Sequence, residues 1–277
     1  MLSLYLKEVG VGAALFTSAF LIPQFSLNTD VNTLVSATSA VFAIVAGFFI
    51  ADAMSNYLRL QTLIAEENAA LITIVANSKK IDPRNESAVR VAVDAYMIAQ
   101  LEAGTLNHIL RTEKEVDNLS AALDALQVSE GGKELYDHVL TMREKIMSAR
   151  QEILLAAKEN LSSGHWITLI VLGVLVVFTV LAIRDGGAFM NMVAGAMMVG
   201  MYSILVLLRD MDNNRLLELK LGFDNPREFF HALDLPPYYP RLTPAHYLVP
   251  DDSGTYRIGD GKGGFELVHA SKGRDRS

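Results

Sequence analysis

The chain has 277 residues, a formal charge of −7, no cysteine, and an apolar fraction of 51% that lifts its mean hydropathy to +0.27. That balance excludes a disordered or disulfide-stapled chain. The acidic surplus argues against a nucleic-acid partner, because phosphates must be met by net positive charge.

In chain order, residues 9–22 form an uncharged apolar stretch, and residues 34–51 a second, longer one. Residues 166–183 and 187–208 are two more without a charge. The last three are long enough to cross a hydrocarbon core of roughly 30 Å. The first is read as a shorter span that starts near Leu4 and leads into a hairpin over 23–33. A cleaved signal peptide is the competing reading; it lacks a basic leader and a small-x-small cleavage site. Of the 24 Lys and Arg, only Arg184 falls in a loop between paired spans. The positive-inside rule then puts both termini and the middle segment in the cytoplasm of, by expectation, a bacterial inner membrane.

The middle segment, 54–165, reads as helices. Residues 55–80 continue the second span without Gly or Pro. Asp82-Pro83 supplies a cap and a first-turn proline for a helix reaching about Arg111. A shorter helix is expected over 116–126, then the breaker Gly131-Gly132, then a helix over 133–160 with Val139, Met142, Ile146 and Ile153 at helical spacing. In the tail, 209–277, a short helix within 221–235 gives way to prolines, with short strands expected at 247–249, 255–258 and 265–269. The fold class is therefore all-α integral membrane. Four transmembrane helices carry a cytoplasmic helical bundle, formed by extensions of spans two and three, and a small irregular or β tail. The expected divisions are 1–53, 54–165, 166–208 and 209–277.

In the second span, Ser36, Ala40, Ala43 and Gly47 share one face, with Thr38, Phe42, Val45 and Phe49 about opposite and Asp52 near that second stripe. A small face lets another helix approach closely. The bulky face either constricts a pore, as stacked apolar rings would in an oligomer, or meets lipid or the third span, which is the commoner arrangement. Small stripes recur as Gly10, Ala14 and Ser18 in the first span and as Ala196 and Gly200 in the fourth. Asn191 reads as an interhelical hydrogen-bond partner or an interfacial residue. Asp52, Glu66 and Glu67 form an acidic zone that either draws cations to an inner mouth or is a solvated helix face. Asp210, Asp212 and Asn214 start an EF-hand spacing that fails at Arg215 and Leu221, which leaves a different calcium clasp as an option. Gly259-Asp260-Gly261-Lys262-Gly263-Gly264 matches GxGxxG but has no strand–helix context and reads as a turn. No nucleophile–base pair or metal-ligand spacing is visible, so no enzyme and no obligatory cofactor is expected. The spans lack the ionisable groups that a transporter needs.

Several motifs together resemble the bestrophin-like membrane proteins. The second span ends in GFFIADA (47–53). Glu66-Glu67-Asn68-Ala69-Ala70-Leu71 is similar to that family's acidic-small-leucine signature. Tyr96 and Glu102 match its Tyr…Glu pair, with Ala103 where Trp is frequent, and the fourth span runs into Asp210-Met211-Asp212. The resemblance implies a homo-oligomer, pentameric in bestrophins proper, which are chloride channels lined by the second span. Phe42, Val45 and Phe49 would then be pore candidates, and Asp210 and Asp212 calcium candidates. Two departures stand out. Only two Asp remain of the acidic run, and the inner mouth is acidic, which suits cations. The expected function is an oligomeric ion channel among membrane lipids; the alternative is a membrane scaffold or sensor whose helical stalk binds a partner.

Overall fold

The structure is a computed structural model and describes residues 2–23, 31–103, 108–158, 161–184, 187–213, 226–241, 243, 248, 254–260 and 264–269. It is mostly helical: α1 (Leu2–Leu21), α2 (Val31–Ile81), α3 (Glu86–Ala103), α4 (His108–Arg111), α5 (Glu113–Asp124), α6 (Lys133–Ala156), α7 (Ser163–Ala182), α8 (Ala188–Asp212) and α9 (Pro226–Ala232). Strands β1 (Tyr238–Tyr239), β2 (Thr255–Gly259) and β3 (Phe265–His269) form one sheet in that order, β1 parallel to β2 and β2 antiparallel to β3. The chain divides into two compact units. One comprises residues 1–55 and 160–213; the other comprises 56–159 and 214–277. Helices α1, α7 and α8 and the first part of α2 thus share one unit, and the tail joins the middle segment in the other.

Among the described residues, three helices are long and apolar enough to cross a membrane: α2, α7 and α8. Within the first unit, α1 lies antiparallel along α8 in contacts about one turn apart. The Tyr202 hydroxyl donates to Glu8, which also accepts Arg209 Nη2–H at 2.9 Å. One turn on, Gly12 faces Val199. Further along, Phe16 lies on Gly195, where a Cβ would sit 2.7 Å from Phe16 Cδ2 and 3.1 Å from the Phe16 carbonyl oxygen. The approach therefore depends on the hydrogen side chain of Gly195. At the far end, the buried Arg184 guanidinium donates to the carbonyls of Ala19, Ile22 (3.0 Å) and Leu181 (3.3 Å), and to Asn191 Oδ1 at 3.4 Å. Ala19 is in the last turn of α1 and Ile22 follows its end, where carbonyls have no partner inside the helix.

Gly195→Leu should destabilise the first unit by about 1–3 kcal/mol, because overpacking forces α1 and α8 apart. Gly10→Leu enters open space and should cost little. Thermal unfolding of the full chain in detergent distinguishes the two.

Within the second unit, apolar residues at helical spacing converge on one core: Leu71 and Ile74 of α2, Val89, Val93 and Tyr96 of α3, Leu119 and Leu123 of α5, and Val139 and Ile146 of α6. Phe229, Phe230 and Tyr238 of the tail complete it. Asp82 does more than start α3. Its Oδ1 accepts the Arg84 N–H at 3.2 Å, and its Oδ2 accepts Asn85 Nδ2–H (2.7 Å) and the Gln127 N–H (3.0 Å). The Gln127 bond ties the α5–α6 connection to the end of α2 and, ahead of the other bonds, holds this carboxyl below its usual range.

The predicted helix to Arg111 is two helices, α3 and α4, with 104–107 outside the described residues. Gly131-Gly132 breaks the chain as a short 3-10 turn over Glu130–Gly132. The strands at 255–258 and 265–269 form. The one expected at 247–249 lies largely outside the described residues. Strand β1 was not anticipated: Tyr238-Tyr239 sits among prolines, and its hydrogen bond to β2 is supplied by the Pro237 carbonyl, which accepts the Arg257 N–H at 2.7 Å.

Candidate functional site

Helix α2 carries the predicted pore residues, and its partners in the first unit decide which of them are free. Thr38 is buried, and its hydroxyl lies 3.3 Å from that of Thr179 on α7. Phe42 is 7% exposed, and its ring packs beside Gly173 and Val176 of α7. Phe49 is half-buried, its ring centroid 4.8 Å from that of His165. Within the chain, Thr38 and Phe42 of the bulky face thus pack against α7. Within one chain these two side chains are largely covered. The Val- and Leu-rich α7 supplies apolar surface for Phe42, whose ring lies in ordinary contact range beside Gly173. Val45 stays half-buried, and Asp52 is exposed.

The small-residue stripes are the reverse of what intrachain packing would require. Ser36, Ala40, Ala43 and Gly47 are exposed, as are Gly10, Ala14, Ala196 and Gly200; Ser18 is half-buried. Beside Gly10, Gly47 and Gly200 a Cβ would meet nothing within 4 Å. Close approach inside the chain uses Gly12, Gly173 and Gly195 instead. Stripes at four-residue spacing could not predict this, because α1 and α8 each carry glycines on more than one face.

The acidic residues separate. Asp212 closes a loop: its Oδ1 accepts the Leu161 N–H at 2.6 Å, and its Oδ2 accepts the Trp166 indole N–H at 3.0 Å. Asp210 Oδ1 lies 3.2 Å from Arg209 Nη2. Both Asp212 oxygens are turned to N–H donors. No group of three or more His, Asp or Glu suited to a metal ion is found among the described residues. Asn214 lies outside them. In this structure the Asp210 and Asp212 carboxylates are engaged by Arg209, Leu161 and Trp166.

In the second unit, Glu66 is exposed and lies 3.7 Å from Lys145. Glu67, one residue on, is completely buried. The Tyr96 hydroxyl donates to Glu67 Oε1, and Gln100 Nε2–H to Oε2 at 3.2 Å. Arg150, 5% exposed, donates from Nη1 to the Tyr96 hydroxyl (2.6 Å) and Thr112 Oγ1 (2.8 Å), and from Nη2 to the Ile109 carbonyl (2.9 Å). Burial raises the Glu67 carboxyl above its usual range against the hydrogen bond from Tyr96 and the charge of Arg150. Burial, with the Glu67 charge next, holds the Tyr96 phenol well above its own. Glu67 is therefore neither a solvated face nor a wall of an ion path; it is the centre of a closed buried network. Sequence reasoning placed Glu67 and Tyr96 in motifs but missed Arg150, which sits in an ordinary amphipathic pattern and carries no local signal.

A second cluster fastens the tail to α3. Arg257 of β2 forms a bidentate pair with Asp94 (2.7 and 2.8 Å) and donates to the Pro236 carbonyl at 2.9 Å. Its guanidinium lies between the rings of Phe230 (4.7 Å) and Phe265 (5.1 Å). The Tyr238 hydroxyl donates to Glu102 Oε1 at 2.5 Å; burial, then Glu102, push that phenol up. Both atoms crowd Gly259 so closely that any Cβ there would overlap them. The first glycine of the GxGxxG string is thus a packing residue. Asp260 and Gly264 close the expected turn through two hydrogen bonds of 3.0 Å.

No curated protein and no solved structure matches the chain. The family model described as Bestrophin-like domain matches residues 6–213, from α1 to the end of α8, and so includes Glu67, Tyr96 and Arg150 while leaving the tail outside. With three membrane-capable helices and a match over most of its length, this chain is a membrane protein that belongs to the bestrophin-like family.

Proposed function

We propose that the chain is one subunit of an oligomeric ion channel in which α2 helices from several copies surround a central path. On this reading α1, α2, α7 and α8 are four spans among membrane lipids. Both termini and the second unit lie on the cytoplasmic side, where the Lys and Arg collect. The observation that carries the proposal is the exposed arc of α2. Ser36, Ala40, Ala43 and Gly47 lie open beside Ile44 (72% exposed) and Phe48 (69%), with no charge before Asp52. Small residues let neighbouring α2 helices approach. Phe48, with the half-buried Val45 and Phe49 at the margin of the arc, supplies the bulk of an apolar constriction. Asp52 at the end of the arc raises local cation concentration.

Purified protein in planar bilayers tests the proposal. Current is expected, Gly47→Trp should block it, and Phe42→Ala, on the face covered by α7, should leave conduction in place. A folded oligomer that stays silent overturns the reading.

A further inference from the structure

A cavity of about 250 Å³ opens between α2, α7 and α8 of the first unit. Its walls are Phe42, Val176, Val180, Met198, Met201 and Ile204, with Met197 (42% exposed) and Gly200 at the rim. No charged side chain lines it. The one hydroxyl in the lining, Ser39 Oγ, is sealed and has no hydrogen-bond partner. Water needs several polar partners to occupy a cavity, and one hydroxyl is too few. An empty cavity of this size forfeits dispersion contacts along its whole lining. In a membrane the medium at the rim is hydrocarbon, which matches the walls in polarity. Methionines at 197, 198 and 201 are unbranched and adapt to a flexible guest.

We propose that this cavity is a lipid site that takes one acyl chain of the surrounding bilayer, entering past Gly200. The inference rests on the membrane placement of α2, α7 and α8 and is independent of conduction. The guest is held by shape and dispersion alone, so the site selects chain-like apolar molecules with little regard to headgroup. The other occupant such a hollow could take is a side chain of a second copy, and the experiment separates the two.

The full chain is reconstituted in nanodiscs of phosphatidylcholine containing a fraction with a diazirine on the acyl chain, irradiated, and mapped by mass spectrometry. Crosslinks are expected to concentrate on Met197–Met201 and Val176, above the level at Ile170 and Val174, which are exposed elsewhere on α7. Gly200→Phe, which enters open space, should plug the cavity and lower labelling of its walls by roughly tenfold, the effect of a modest loss of affinity. Labelling at Ile170 and Val174 should stay constant. Gly200→Ala keeps the cavity and should label like the parent, which guards against misfolding of the larger variant. Even labelling of all exposed positions, unchanged by Gly200→Phe, overturns the proposal. So does labelling of Ile170 and Val174 without labelling of the cavity, the result expected if a second copy fills it. Absence of labelling at every position overturns the membrane placement as well.

Discussion

Arg150→Ala should destabilise the second unit by about 3–5 kcal/mol, because it removes a buried cation that donates to the Tyr96 hydroxyl bonded to Glu67 and whose charge offsets the burial of that carboxyl. The loss exceeds that of the hydrogen bonds alone. Tyr96 keeps its bond to Glu67, but Thr112 and the Ile109 carbonyl lose a shared donor. Arg150→Lys should recover only part of it, since an ammonium cannot span these acceptors in a fixed fork. Chemical denaturation of the full chain, followed by circular dichroism, reads the difference. A loss within the range of an exposed ion pair would refute the assignment.

The same network has a pH signature. The folded-state pKa of Glu67 is raised, with burial as the largest cause. Between the carboxyl's ordinary value and the raised one, the folded chain binds more protons than the unfolded chain. Stability from this group is then complete below the ordinary value and is lost as pH climbs through the raised one. Glu67→Gln cannot titrate, so it should flatten that slope while keeping a hydrogen-bonding side chain beside Tyr96. Melting temperature across mildly acid to neutral pH provides the check; parallel curves for parent and variant would contradict it.

Arg257→Ala is expected to have the second large effect, at about 3–5 kcal/mol, since Asp94 would be left in a mostly buried position without its bidentate partner. The Arg257 side chain is 4% exposed and that of Asp94 18%. The loss should be local. Arg257 joins α3 to the sheet and stacks between Phe230 and Phe265, so its removal frees β2 and β3 before it reaches the Glu67 network. Hydrogen exchange should rise across Thr255–His269 while amides around Tyr96 keep their protection. Global loss of protection at both places would show that the tail is integral to the core rather than fastened to it. The placement of the tail outside the family match favours the local outcome.

The elements were legible where a single physical rule dominates. Uncharged stretches long enough for a bilayer announced α2, α7 and α8. Asp82-Pro83 announced the break before α3, and alternation with glycine turns announced β2 and β3. The division of α2 into faces was half legible. A period of 3.6 sorted Ser36, Ala40, Ala43 and Gly47 from Thr38, Phe42, Val45 and Phe49 correctly. It could not say which set turns inward, because that depends on what stands opposite. The opposing surface is Gly173 and Thr179, more than a hundred residues away. The arginines show the same division. Arg184 is conspicuous as the one cation in a hairpin, yet its role as donor to the carbonyls at the end of α1 needs α1 alongside. Arg150 and Arg257 look like surface charges until Tyr96, bonded to Glu67, and Asp94 are seen facing them.

By itself the sequence determined that this is a helical membrane protein of the bestrophin-like kind, because hydropathy, helix period and breaker residues act locally along the chain. Only the tertiary structure decided which face of α2 is covered, which carboxylates are buried, and that the tail is pinned to α3. Each of these is settled by long-range partners, and in a low-dielectric interior a distant partner outweighs any preference of the local segment.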